Sequence, residues 1–269
     1  MQLQPHHPPL SPDPTSQALA ARNLCKAFNG TPAVDRLDID VPRGAIYGVV
    51  GPNGAGKTTM ISMVTGLLRP DAGDSWVGGH HTWSDSQAMK RSMGLLADGL
   101  PVFDRLSGAE YLGYLGGLRG MERGVVDKRS DELFEALGLQ EARGKRIVDY
   151  SAGMTKKILL AGALLHNPEV LILDEPLEAV DPVSGRTIQQ ILRAFAASGG
   201  TVVVSSHVME LVEGLCSHVA IIDKGRVLTA GSVAEVRQGQ SLSDAFVAFV
   251  GGSTYTEGSL TWLGTGEGQ

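Results

Sequence analysis

The chain has 269 residues, a net charge of −6 and only two cysteines, Cys25 and Cys216. That length suits a single unit of two lobes around one continuous interior, and the acidic balance argues against a general nucleic-acid binder. The cysteines lack zinc or redox-pair spacing, which fits a reducing compartment such as the cytosol. No stretch reaches the roughly 20 apolar residues of a membrane span, and the N-terminal segment lacks the basic and apolar regions of a signal peptide.

Residues 1–16 are Pro-rich and polar, with too little apolar surface to offset ordering entropy, so a flexible tail is expected. His6 and His7 read there as solvated side chains. From residue 17 the chain alternates β-branched runs with helical patterns, which predicts an α/β fold containing parallel strands. The clearest strands are AIYGVVG (45–51), EVLILD (169–174) and TVVVSS (201–206). Tyr111, Leu115 and Leu118 recur at helical spacing and DKRSDELFEALGL continues the pattern, predicting an inserted helical lobe at about 95–168. HVAIIDKGRVLTAG reads as two strands around a Lys-Gly turn, followed by short amphipathic helices and a frayed end at 251–269. There is no internal repeat, so one chain carries one copy of its site.

GPNGAGKT, Gly51 to Thr58, meets the P-loop pattern between a predicted strand and a predicted helix. Gly51, Gly54 and Gly56 let the backbone curl until successive N–H groups face phosphate oxygens. Lys57 supplies charge to the β and γ phosphates, the Thr58 hydroxyl can ligate magnesium, and the helix begun at Lys57 adds its positive dipole end. Pro52, Asn53, Ala55 and Thr59 complete the candidate nucleotide-binding segment. The pattern alone leaves ATPases, GTPases and kinases open.

In VLILDEP an apolar strand delivers Asp174 and Glu175 at its carboxyl end, where open α/β sheets place ligands. Asp174 fits the metal-side acid and Glu175 the carboxylate that polarises attacking water. TVVVSSH repeats the arrangement and ends on His207, whose imidazole can donate to the γ phosphate.

With P-loop, DEP strand end, a following Asp and a strand-terminal His in this order, the chain resembles the ABC (ATP-binding cassette) ATPases over residues 18–250. The resemblance implies a P-loop core with a β subdomain and an inserted helical subdomain. The family's signature, commonly LSGGQ, is matched by YSAGM: Ser151 keeps the hydroxyl and Gly153 the close backbone approach, whereas Ala152 and Met154 depart. In that family the signature of one subunit closes over ATP on the other's P-loop. The resemblance therefore implies a homodimer, or a heterodimer with a second ABC ATPase, sandwiching two Mg-ATP.

By the same resemblance, Glu178–Asp181 stands at the D-loop, where Asp181 couples the two sites. Phe28 matches the aromatic that stacks on adenine, and Asp98 replaces the usual Q-loop Gln near magnesium. The implied function is ATP hydrolysis that powers a separate transmembrane permease docked near the Asp98 loop, with export the expected direction. The implied location is the cytoplasmic face of the cell membrane. Two other readings stand beside it. One is an ABC ATPase acting on ribosomes or DNA, though such relatives usually carry two cassettes, long coiled coils or zinc inserts. The other is a regulatory nucleotide-binding module without turnover, against which Glu175 and His207 argue.

Overall fold

The computed structural model describes residue 13, residues 15–97, residue 99 and residues 102–251. His6, His7, Asp98 and the end expected at 251–269, Gly251 apart, lie outside the described residues.

Two long strands, β1 (Gln17–Phe28) and β2 (Thr31–Pro42), pair antiparallel across a two-residue turn at Asn29 and Gly30. Both turn residues have positive φ, 49° and 80°, which matches the twist of a tight hairpin. β3 (Ile46–Val50) then enters a second sheet and leads through residues 51–56 into α1 (Lys57–Val64). β4 (Ala72–Val77) returns to pair with β1, and β5 (His80–His81) pairs with β4. The small sheet therefore runs β2-β1-β4-β5.

α2 (Ser86–Ser92) and β6 (Met93–Leu96) precede the helical insertion. That insertion holds α3 (Gly108–Leu118), α4 (Arg123–Ala136), short 3₁₀ turns at Gln140–Ala142 and Ile147–Asp149, and α5 (Ala152–Leu164). Ser107 starts α3 with a reciprocal cap: its hydroxyl accepts from Glu110 N, and Glu110 Oε2 accepts from Ser107 N at 2.8 Å. Tyr111 is buried as its spacing suggests, but Leu118, in the last turn of α3, is 66% exposed. Helical spacing identified the helix without identifying which members of the stripe meet a neighbour.

The chain returns through β7 (Val170–Leu173), α6 (Pro182–Ala197), β8 (Thr201–Ser206) and α7 (Met209–Leu215). It finishes with β9 (His218–Asp223), β10 (Arg226–Ser232), α8 (Val233–Arg237) and α9 (Leu242–Val250). The large sheet has the order β10-β9-β3-β8-β7-β6, parallel except for the β9–β10 hairpin. That hairpin turns at Lys224 and Gly225, with φ 47° and 76°, as the Lys-Gly reading anticipates. No helix among the described residues is long and apolar enough to cross a membrane.

The central strands β3, β7 and β8 of the large sheet are buried on both faces, which explains why they read as apolar runs. Ile46, Leu171, Leu173, Val202 and Val204 face one core with the helices, whereas Tyr47, Val49, Val170, Ile172 and Val203 face the other with α1 and the small sheet. The period-two alternation of strand side chains thus divides one sheet between two cores. Because β8 lies between β3 and β7, the carboxyl ends of these three strands open side by side.

Candidate active site

Residues 51–56 leave β3 as a tight loop because neighbouring backbone excludes side chains. A Cβ on Gly51 would lie 2.2 Å from Ile222 O, and one on Gly56 would lie 2.4 Å from Ala33 O. Gly56 also has φ 103°, a conformation that L side chains rarely adopt. The β9–β10 turn buttresses the loop from beneath, with Gly225 N donating to Ala55 O at 2.8 Å. α1 has no side-chain cap at its N-terminus, so its first N–H groups point into the cleft as anion donors. Lys57 is buried, and Nζ donates to Gly51 O at 2.8 Å and Pro52 O at 3.3 Å.

β7 delivers two acids into different surroundings. Asp174 is fully buried; its N donates to Leu96 O at 2.7 Å and its Oδ1 accepts from Ser205 Oγ. Its Oδ2 is buried without a hydrogen-bond partner among the described residues. Glu175 turns into the cleft from left-handed backbone, φ 46°, and its N donates to Ser205 Oγ at 2.9 Å. His207, at the end of β8, places Nδ1 3.1 Å from Glu175 Oε1. A carboxylate only accepts, so this contact puts the proton on Nδ1 and leaves Nε2 for another partner.

The P-loop and Glu175 share a cleft of about 530 Å³, lined by Phe28, Ala33, residues 53–59, Glu175, Glu178 and His207. Phe28 is 48% exposed on its wall, with Lys26 Nζ 5.9 Å from the ring centroid. The cleft thus combines an aromatic wall, a curl of N–H donors with one ammonium, and a carboxylate opposite. A nucleotide base, its phosphates and an attacking water need these features in this sequence of places. Asp174 Oδ2 has the character a hydrated divalent cation requires, an oxygen whose burial is costly unless it meets a donor or a metal. The exposed Thr58 presents its hydroxyl from the first turn of α1.

Gly51, Pro52 and Asp174 lie behind the lining of this cleft, and Ser151, Gly153 and Asp181 belong to other segments. Ser151 caps α5, its hydroxyl accepting from Met154 N at 3.2 Å. Gly153 lies close against the segment after β7, where an added Cβ would sit 3.3 Å from Ala179 O. Asp181 caps α6, accepting from Val183 N at 3.1 Å and Ser184 N at 3.0 Å, and hydrogen bonding from Ser184 holds its carboxyl below the ordinary range. The signature helix therefore packs against the D-loop segment, whose first residue, Glu178, lines the P-loop cleft while Asp181 does not. Sequence reasoning gave Ser205 no role and did not foresee the support from Gly225. The serine in an otherwise apolar VVVSS run was the available signal, but its partners are distant in sequence.

A family described as ABC transporter matches residues 34–178. The chain is 36% identical over 222 residues to the daunorubicin/doxorubicin resistance ATP-binding protein DrrA of Streptomyces peucetius, covering 82% of this chain and 67% of that protein. It is also 36% identical over 214 residues to the linearmycin resistance ATP-binding protein LnrL of Bacillus subtilis (strain 168), covering 80% and 69%. A solved ATP-binding subunit of an ABC transporter superposes with a TM-score of 0.81 at 23% identity, covering 86% of this chain and 99% of the other, and shows the common fold. The chain belongs to the ABC transporter family of ATP-binding subunits. It is an ATPase subunit that powers a membrane transporter; subunits of this family dimerise and work with permease components.

Proposed function

We propose that two copies of this chain form the ATP-driven engine of an exporter, each copy completing the other's nucleotide site. The observation that carries this reading is the division of the site. One cleft holds Phe28, the P-loop, Glu175 and His207, whereas Ser151 and Gly153 lie outside it, Gly153 against Ala179. In the closed dimer the free N–H groups of α5 and the Ser151 hydroxyl face the partner's γ phosphate. Asp181, next to the signature helix, links that event to the other site.

Within each cleft Gly51, Pro52, Asn53, Gly54, Ala55 and Gly56 form the phosphate loop, Lys57 and Thr59 bind phosphate, and Phe28 stacks on adenine. Glu175 orients and polarises the attacking water. His207, fixed through Nδ1, turns Nε2 to the terminal phosphate. Thr58 and Asp174 would hold magnesium, directly or through its waters, and the ion would supply positive charge to the phosphate oxygens. Asp98, which follows β6 in sequence, would be the residue that couples the metal site to the permease.

The nucleotide-binding unit in this reading spans 17–250, with a helical subdomain at about 95–168. A groove of about 760 Å³ lined by Leu67, Lys90, Leu95, Leu118, Arg119 and Met121, among others, supports permease docking beside β6 and the helical insertion. Such docking sets the subunit on the cytoplasmic face of the membrane. The resistance functions named for DrrA and LnrL favour export over import.

Glu175→Gln tests the core of this reading, because it keeps size and hydrogen bonding but removes the charge. ATP binding is expected to persist while phosphate release falls by about 100-fold or more. A purified variant with the parental rate would remove Glu175 from the catalytic role.

A further inference from the structure

Ser205 is fully buried in β8 and its hydroxyl joins the two acids of the neighbouring strand. A serine hydroxyl offers one proton and two acceptor positions. The Asp174 carboxylate can only accept and the Glu175 N–H can only donate, so the roles are unambiguous. Ser205 Oγ donates to Asp174 Oδ1, while Glu175 N donates to Ser205 Oγ at 2.9 Å.

Both contacts have consequences for reacting groups. With Oδ1 engaged, rotation of the Asp174 carboxylate is restrained and Oδ2 is the oxygen left without a partner among the described residues. Glu175 occupies left-handed backbone, φ 46°, which is costly for a residue with a side chain. The hydrogen bond to Ser205 holds the peptide N–H in the orientation that accompanies this strained turn. The same turn sends the Glu175 carboxylate to His207 Nδ1. Alanine here would leave a buried carboxylate oxygen and a backbone N–H without this partner, a costly arrangement in the interior.

We infer that Ser205 is a positioning residue for ATP hydrolysis, one hydroxyl that orients Asp174 toward the metal shell and fixes the backbone that aims Glu175 at water. This inference rests on the roles proposed above for Asp174 and Glu175. Supporting groups of this kind change metal affinity or activity by about 10- to 100-fold when removed.

The test compares the parent with Ser205→Ala, Ser205→Thr and Ser205→Cys, with Mn²⁺ as the metal probe and a non-hydrolysable ATP analogue bound. In Ser205→Ala, Mn²⁺ affinity measured by electron paramagnetic resonance is expected to fall by about 10-fold or more. At saturating magnesium kcat falls by a similar factor while KM for ATP holds. In the metal-free protein the Glu175 amide exchanges faster with solvent. Ser205→Thr, which keeps the hydroxyl, restores all three. If Ser205→Ala does not fold, Ser205→Cys, with a similar shape and a weak donor, carries the comparison.

Parental Mn²⁺ affinity and kcat in the folded hydroxyl-free variant would overturn the inference, as would a loss explained entirely by the folded fraction. Asp174→Asn and Glu175→Gln separate the two levels. If both are impaired while Ser205→Ala is not, the positioning role fails alone. If Asp174→Asn keeps parental Mn²⁺ affinity, the metal assignment fails and the inference with it.

Discussion

The two positive-φ glycines of the P-loop separate backbone strain from steric conflict. Gly54 has φ 80° and an added Cβ would meet nothing within 4 Å, whereas Gly56 has φ 103° and its Cβ would lie 2.4 Å from Ala33 O and 3.3 Å from Gly225 Cα. Alanine at either position costs about 1–2 kcal/mol for left-handed backbone. At position 56 the opposing atoms are backbone and cannot swing away, which adds about 1–3 kcal/mol of overpacking. With about 2–4 °C per kcal/mol for chains near this size, Gly56→Ala is expected to melt about 2–12 °C below Gly54→Ala. Calorimetry of both nucleotide-free variants measures the difference directly. Equal midpoints, or a less stable Gly54→Ala, would refute the argument that β2 and the β9–β10 turn shape the loop.

Lys57→Ala removes the one ammonium of the phosphate loop, and a hydrogen bond to a charged group is worth about 1.5–3 kcal/mol. ATP affinity is therefore expected to drop by about 10- to 150-fold with turnover abolished, measured by calorimetric titration and phosphate release. Phe28→Ala removes the exposed wall of the cleft; at about 1–3 kcal/mol per stacked base, ATP affinity falls while Phe28→Trp retains it. Equal affinity in parent and Phe28→Ala would remove Phe28 from the site. Burial, followed by the charge of Arg119 and Arg129, pushes His166 down from 6.5 to about 4. The unfolded chain then binds more protons, so this group adds stability above 6.5 that is lost as pH falls toward 4. His166→Gln is expected to flatten the denaturation midpoint against pH within that window, and an unchanged slope would count against the buried neutral imidazole.

Legibility in the sequence followed burial. β3, β7 and β8 are buried along their whole length, so each is an apolar run ending on a chemical group: Gly51, Asp174 and His207. Glycine spacing and the order of those ends carried the fold and the P-loop cleft. β1 was harder to delimit, because bulges interrupt its register against β2 and Asn23 adopts φ 52° within it, breaking period-two alternation. β6 is only four residues at the sheet edge, too short for a pattern. Leu118 fitted a helical stripe yet faces solvent, since periodicity reports the helix and tertiary packing decides its buried face. The Ser205 bridge depends on pairing between β7 and β8 and has no local sequence signal.

The shared nucleotide site is tested most directly by mixing two damaged chains, Lys57→Ala and Ser151→Arg. Lys57→Ala injures its own P-loop, while Ser151→Arg puts bulk and charge at the start of α5 and leaves its own P-loop untouched. In a mixed dimer with sites shared between chains, one site carries both lesions and the other neither. ATP-dependent association, followed by light scattering, is expected to reappear in the mixture above either variant alone. If crosslinking shows that mixed dimers form and ATP still drives no association beyond the single variants, the site is not shared between two chains.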